Sequence, residues 1–236
     1  SQINSNGYID RAASDLDAYF FQGTFKDENT LIKALVFGGQ EITYQSWYGI
    51  DVLTLESNRT YNPAGEIYDE SGNLVSFYDN QVDNYSQEHY QFHWNERLNS
   101  VWNSAVGLNY THGCGYYEEY NDLWFNQNIS FSGNTSFQYL QLNPLKVGNT
   151  SITDSENITQ KWLDNDYYVV TLGLNYQTDV TTLNFGGLYS KYVGDHFGNL
   201  IWGQKIGDTS PNQKFYKNQG GKTEGSLFAK LSHTFS

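Results

Sequence analysis

The stretch Gln87–Tyr120, QEHYQFHWNERLNSVWNSAVGLNYTHGCGYYEEY, decides the fold. Between Tyr90 and Asn95 apolar and polar residues alternate, with Tyr90, Phe92 and Trp94 on one face and Gln91, His93 and Asn95 on the other. A period of two belongs to a β-strand, because successive side chains leave an extended backbone on opposite sides. After a polar break at Glu96–Ser100 the alternation resumes, with Trp102, Val106, Leu108 and Tyr110 facing one way and Asn103, Gly107, Asn109 and Thr111 the other. Two strands with a tight connection make a hairpin. The next segment has a different character: from Gly113 to about Leu163 it is polar and aromatic with no sustained period.

The same unit recurs. Asp15–Phe25 and Thr30–Trp47 read as strands around the short break Lys26–Asn29, and the long segment Tyr48–Asn84 comes after them. Asp166–Gln177 and the run from Leu183 to Ser190 flank Thr178-Asp179-Val180, and a third long segment, Val193–Gly221, precedes a last strand at Thr223–Phe235. Ser1–Ser14 reads as the end of a loop. The expectation is about seven strands, with short turns on one edge of a sheet and long segments on the other.

Aromatics make up 17% of the 236 residues, with 20 Tyr, 14 Phe and 6 Trp, so much of the apolar volume sits in side chains that favour strands. The formal net charge of -13, with no run of Lys or Arg to track phosphates, argues against nucleic acid. Cys114 is the only cysteine, which excludes an intrachain disulfide and a zinc site built on several cysteines. The longest apolar run, Ala34–Gly38, is far below the roughly 18 residues of a membrane helix. No signal segment opens the chain and no Met occurs, so a mature product or an excised piece is expected.

Two architectures fit such strands. A β-sandwich turns one face to a second sheet; a membrane barrel turns one face to lipid and carries short periplasmic turns and long extracellular loops. The barrel is favoured, because one face carries almost no charge in mid-strand while aromatics gather near strand ends. Trp94 and Trp102 flank one short turn, and Tyr110 and Tyr176 are expected towards the long segments. Tyr90, Phe92, Val106 and Leu108 then face lipid, and His89 and His93 the interior. The fold class expected is an all-β, antiparallel up-and-down transmembrane barrel, present in part, over residues 1–236 as one unit.

The chain resembles the barrel of a TonB-dependent outer-membrane receptor of the Bacteroidetes type. The residues carrying the resemblance are Ser5-Asn6-Gly7-Tyr8-Ile9-Asp10-Arg11-Ala12, Tyr61-Asn62-Pro63, Asn84-Tyr85 with His89-Tyr90-Gln91, Gly113 with Gly115-Tyr116-Tyr117-Glu118, Trp162-Leu163-Asp164-Asn165, and Lys191-Tyr192 with Gly194-Asp195-His196-Phe197-Gly198. The resemblance implies an internal slice of a barrel of about 22 strands, a bacterial outer-membrane location and lipid as a partner. It further implies a plug domain and an energy-coupling protein as partners of the full-length receptor; no plug is expected in this chain. The ligand implied is a scarce metal chelate such as a ferric siderophore or a cobalamin-like complex. Competing readings are a small free-standing barrel, adhesin-like or porin-like, and a secreted β-sandwich that binds glycans.

Tyr116, Tyr117, Glu118, Tyr120 and Trp124, the densest aromatic and acidic cluster, are expected on an external loop as ligand-contact candidates, with His196 on another. Catalysis is not expected: adjacent Glu118 and Glu119 on an extended chain point oppositely and do not flank one bond. His112 and Cys114 share a face but lack a third ligand, so neither a metal nor any other cofactor is expected.

Overall fold

A computed structural model describes residues 1–125, 135–210 and 212–235. In chain order the elements are β1 (Gln2–Asn6), β2 (Ala13–Lys26), β3 (Thr30–Tyr44), α1 (Val52–Ser57), β4 (Glu66–Tyr68), β5 (Leu74–Phe77), β6 (Val82–Arg97) and β7 (Trp102–Asn121). After these come α2 (Leu123–Phe125), α3 (Ser136–Tyr139), β8 (Leu145–Val147), β9 (Thr150–Ile152), β10 (Asn157–Gln177), β11 (Thr181–Gly203) and β12 (Gln213–His233). Eight strands form one antiparallel sheet in the order β1-β2-β3-β6-β7-β10-β11-β12, and β4-β5 and β8-β9 are separate two-stranded ribbons. The protein is all-β and antiparallel, as the alternation implies. The sheet is open, with β1 and β12 at its edges. Among the described residues every long strand lies in this one sheet, and no second large sheet stacks on it as in a sandwich. Among the described residues no helix is long and apolar enough to cross a membrane.

Three features differ from the sequence reading. The main sheet has eight strands where about seven are expected, because Gln2–Asn6 pairs with Ala13–Asp17. The strands also run much further than the amphipathic pattern. β7 continues to Asn121, β10 starts at Asn157, β11 continues to Gly203 and β12 starts at Gln213. In these extensions polar and aromatic residues, with a few aliphatic ones such as Leu163 and Leu200, fall on both faces, so the contrast between faces vanishes. The backbone ladder persists nonetheless, supported by Tyr, Trp and Thr side chains that suit a pleated surface. Finally, Tyr176 sits at the short-turn end, opposite Trp102 with ring centroids 4.9 Å apart. It immediately precedes the β10–β11 turn, so its place is set by chain direction.

One face of the sheet carries a continuous apolar band. Residues directly opposite each other share a face, and the register places Ala34, Phe92, Leu108, Val170 and Tyr189 side by side on five successive strands. The band includes no charged side chain on β2 to β12, while Lys33 and His93 lie on the other face. Its large side chains are open: Phe21, Leu172 and Leu227 are 68%, 57% and 79% exposed. The well-buried apolar cluster is small, Leu140, Leu200 and Phe215 with Leu142, Ile206 and Tyr216 against it.

The band also slides. Its border towards the long segments is the last large apolar residue before a polar one: Tyr19, Val36, Tyr90, Tyr110, Tyr168, Tyr189 and Leu227 on β2, β3, β6, β7, β10, β11 and β12. Following the pairing from Tyr19 across the sheet leads through Gly38, Glu88, His112, Asp166 and Val193 to Gly221. On β12 the border is at Leu227, so it has moved 227 − 221 = 6 residues over the six steps from β2 to β12.

Beyond the band, the segment from 45 to 81 is fastened to the sheet by the β1–β2 turn. Arg11, held at φ 62°, donates to the carbonyls of Asn62 and Ala64 and lies 3.6 Å from the Phe77 ring centroid. The Asn62 amide donates to the carbonyls of Asp10 (3.0 Å) and Gln45 (2.9 Å), which locks the turn and the segment together.

Candidate functional site

The strand extensions beyond the band carry the site. Parity along β7 sends Tyr117 and Glu119 to the polar face and Tyr116, Glu118 and Tyr120 to the opposite one, because each residue of a strand reverses direction. On the polar face a cavity of about 390 Å³ is lined by Glu41, Asp83, Tyr85, Tyr117, Lys161, Leu163, His196 and Tyr216. It therefore draws on six strands, β3, β6, β7, β10, β11 and β12.

Two glycines shape its wall. The Tyr85 ring lies across β7 where Gly113 and Gly115 leave room: a Cβ at Gly113 would fall 2.0 Å from the Tyr85 hydroxyl, and one at Gly115 2.6 Å from Tyr85 Cα. The Asn165 amide, itself bonded to the Gly113 carbonyl at 3.0 Å, reaches the Tyr85 hydroxyl at 3.4 Å. Tyr85 is thus fixed as a flat wall.

Lys161 is the cation of the cavity and is already paired. Its Nζ is 2.9 Å from Glu119 Oε2 and 5.0 Å from the Tyr117 ring centroid. Burial alone would lower the ammonium pKa; the Glu119 carboxylate overrides it and holds the pKa above the usual lysine value. Burial raises the phenols of Tyr117 and Tyr216, and that of Tyr48, whose hydroxyl lies 3.5 Å from Glu119. They remain neutral rings at physiological pH. Asp83 is pushed above the ordinary carboxylate range, first by burial and then by repulsion from Glu41.

The residues singled out in sequence separate into two groups. Tyr116, Tyr117 and His196 line the cavity, whereas Glu118, Tyr120 and Trp124 do not. None of Tyr116, Tyr117, Glu118, Tyr120 or His196 is on a loop: the first four lie on β7 and His196 on β11, because the backbone ladder outlasts the amphipathic contrast. The Tyr116 ring lies tilted against Trp162 at 4.6 Å, and Trp162 stacks on Phe197 at 5.8 Å, on the face of the sheet opposite Tyr117. Glu118 is buried and accepts hydrogen bonds from Tyr78 Oη at 2.5 Å, Asn80 Nδ2 at 2.6 Å and Gln160 Nε2 at 2.6 Å. Tyr120 donates to Glu156 at 2.9 Å, and Trp124, on α2, lies tilted against Tyr68 at 4.6 Å. Glu118 thus holds Tyr78 and Asn80 to the sheet, Tyr120 holds Glu156 to it, and the Trp124–Tyr68 contact joins α2 to β4.

Glu118 and Glu119 indeed face opposite ways, and His112 pairs with Asp166 at 3.1 Å. The Cys114 thiol is pushed up by burial and by Asp164. Among the described residues no group of three or more His, Cys, Asp or Glu side chains is placed to hold a metal ion. The residues that sequence reasoning missed are Glu41, Asp83, Tyr85, Lys161 and Tyr216. Their signal was parity: once β7 runs unbroken through Gly113 and Gly115, Tyr117 falls on the face of those glycines, and the paired residues of β6 and β10 fall with it.

No protein-family model and no curated protein matches the chain. Among solved structures it is similar to BauA, the ferric preacinetobactin receptor from Acinetobacter baumannii, with a TM-score of 0.54 and 11% identity over 99% of this chain and 33% of the receptor. At that identity the likeness is one of fold, and this chain spans about a third of the length of that receptor.

Proposed function

We propose that the chain forms part of the barrel wall of a TonB-dependent outer-membrane receptor that takes up a scarce metal chelate, such as a ferric siderophore or a cobalamin-like complex, without catalysis. The observation that carries this reading is the sliding apolar band. Six residues at about 3.4 Å each, over six strand spacings of about 4.8 Å, give a slope of roughly 35° between the band and the pairing direction. Strands inclined by that angle in a slab of hydrocarbon would present such a band, and transmembrane barrels tilt their strands by about 35–45°. The outward run Tyr168–Tyr176 covers nine positions, within the length of a tilted membrane strand.

The fold likeness to the ferric preacinetobactin receptor supports the same reading. So does the position of the cavity beyond the band, on the polar face, where a ligand arriving from outside would meet it. In the full receptor a plug domain and an energy-coupling protein complete the transport cycle, and lipid covers the band. The test is uptake. A host strain lacking the segment 83–121 is expected to lose about tenfold or more of its accumulation of either radiolabelled iron from its own spent medium or radiolabelled cobalamin, supplied at limiting concentration. Parental rates for both would contradict the proposal.

A further inference from the structure

We infer that the polar face of the sheet, in its half nearest the short turns, docks an extended acidic segment of the plug domain: carboxylates meet Arg97 and Lys230, and the backbone lies on a shelf of asparagines between them. The inference rests on the receptor reading for the source of the segment and goes beyond it in stating what that domain presents.

Charge is segregated along this face. From the Lys33–His93 pair to the turns, the polar-face positions of β2 to β12 hold four cations, Lys26, Lys33, Arg97 and Lys230, and no carboxylate. The chain as a whole has 26 acidic residues against 13 Lys and Arg, so this excess of cations runs against its composition. Among the described residues none of the four is in an ion pair. Carboxylates at the adjoining turns do not cancel them. Asp27 accepts from the backbone N–H groups of Asn29 and Thr30, and Glu96, on the opposite face, accepts from Thr30 Oγ1 and Trp94 Nε1. That leaves Glu28 and Asp179 in the turns, two carboxylates against four cations. An acidic partner would be drawn to this half of the face and a basic one repelled.

The register builds the shelf. Arg97, Asn103, Asn175, Asn184 and Lys230 lie directly opposite one another on five successive strands, β6, β7, β10, β11 and β12, and so share the polar face. From Arg97 to Lys230 is four strand spacings of about 4.8 Å, about 19 Å in all, the length of about six residues of extended chain. A cavity of about 410 Å³ over the shelf is lined by the three asparagines with Lys26, Asn95 and Arg97. The Asn175 amide donates to Asn184 Oδ1, and the Asn103 amide has no side-chain partner among the described residues. An asparagine amide both donates and accepts, as a peptide group does, so the floor suits a backbone while the cations at its two ends suit carboxylates. A compact anion would reach only one end.

The test places the full chain in phosphatidylcholine vesicles, which have no net charge to compete, and reads the anisotropy of fluorescein-labelled hexaglutamate. At about 0.15 M salt hexaglutamate is expected to bind at least about tenfold tighter than hexaglutamine. Arg97→Gln/Lys230→Gln is expected to weaken hexaglutamate about tenfold, and Asn103→Ala/Asn175→Ala, which leaves the charge unchanged, about fivefold. The control pair Lys146→Gln/Lys205→Gln, on β8 and just after β11, removes the same charge and is expected to change binding by less than about twofold. Equal binding of the two peptides, an equal loss in the control pair, or an unchanged affinity in the asparagine pair overturns the inference. A chain that does not enter vesicles overturns the receptor reading as well, whereas insertion without preference for hexaglutamate overturns the docking shelf alone.

Discussion

Leu108→Arg is expected to cost about 2–4 kcal/mol of folding stability in a bilayer, the penalty for a cation near the midplane of a transmembrane barrel's outer face. Leu108 lies mid-band, paired with Phe92 on β6 and Val170 on β10. It is 44% exposed, and its exposed surface is what the proposal assigns to lipid. Gln91→Arg places the same side chain one residue from Phe92 on β6, on the polar face, and is expected to cost less than about 1 kcal/mol. The pair is measured by urea unfolding in vesicles. If the band instead faces water, both substitutions are ordinary surface changes within about 0.5 kcal/mol, and equal midpoints for the two variants would show it.

The second large effect falls on the cavity wall. Gly115→Val adds a branched side chain where even a Cβ meets the Asn84 carbonyl at 2.3 Å and Tyr85 Cα at 2.6 Å. Both are backbone atoms, so no rotamer change relieves the contact and the β6–β7 ladder must move. A loss of about 3 kcal/mol is expected, at the upper end of overpacking penalties, together with displacement of the Tyr85 ring. Gly173→Val is the comparison on β10, since a Cβ there meets nothing closer than Ala105 Cβ at 3.7 Å. Valine suits a strand better than glycine, so that variant is expected to match or exceed the parent in its unfolding midpoint. A Gly115→Val protein as stable as the parent would mean that Tyr85 does not lie across the two glycines.

The band was legible in sequence because it obeys one rule, alternation, from Trp102 to Tyr110 and again from Tyr168 to Tyr176. Its three short turns were legible for the same reason, since each interrupts that rule for only a few residues. The strand extensions were not. From His112 to Asn121 both faces carry hydrogen-bonding or aromatic groups, and amphipathic contrast, which reports the environment of the faces, says nothing about whether the backbone remains paired. The glycines at 113 and 115 strengthened the impression of a loop. In the fold they are strand residues that make space for Tyr85.

The same blind spot divided the candidate site. Tyr116, Tyr117, Glu118 and Tyr120 are neighbours in sequence, but a strand turns the Tyr117 ring to the polar face, Glu118 and Tyr120 to the covering segments, and the Tyr116 ring to Trp162 on the neighbouring strand. Asp83 and Glu41, which set the charge of the cavity, lie in different segments of sequence and become neighbours only through the β3–β6 register. Parity within a strand can be read from sequence; register between strands supplies the rest.

The central claim is that the band meets lipid along inclined strands. The most direct test attaches a fluorophore to single cysteines along β7 and β12, in a Cys114→Ser background, and quenches it from the acyl chains of the vesicle. Lipid quenching is expected at positions 106 and 108, little of it at 105 and 109, with the outer limit near Tyr110 on β7 and shifted to Leu227 on β12. Uniform quenching by a water-borne quencher at all four β7 positions, or a limit on β12 at Thr223, the residue level with Tyr110, would contradict it.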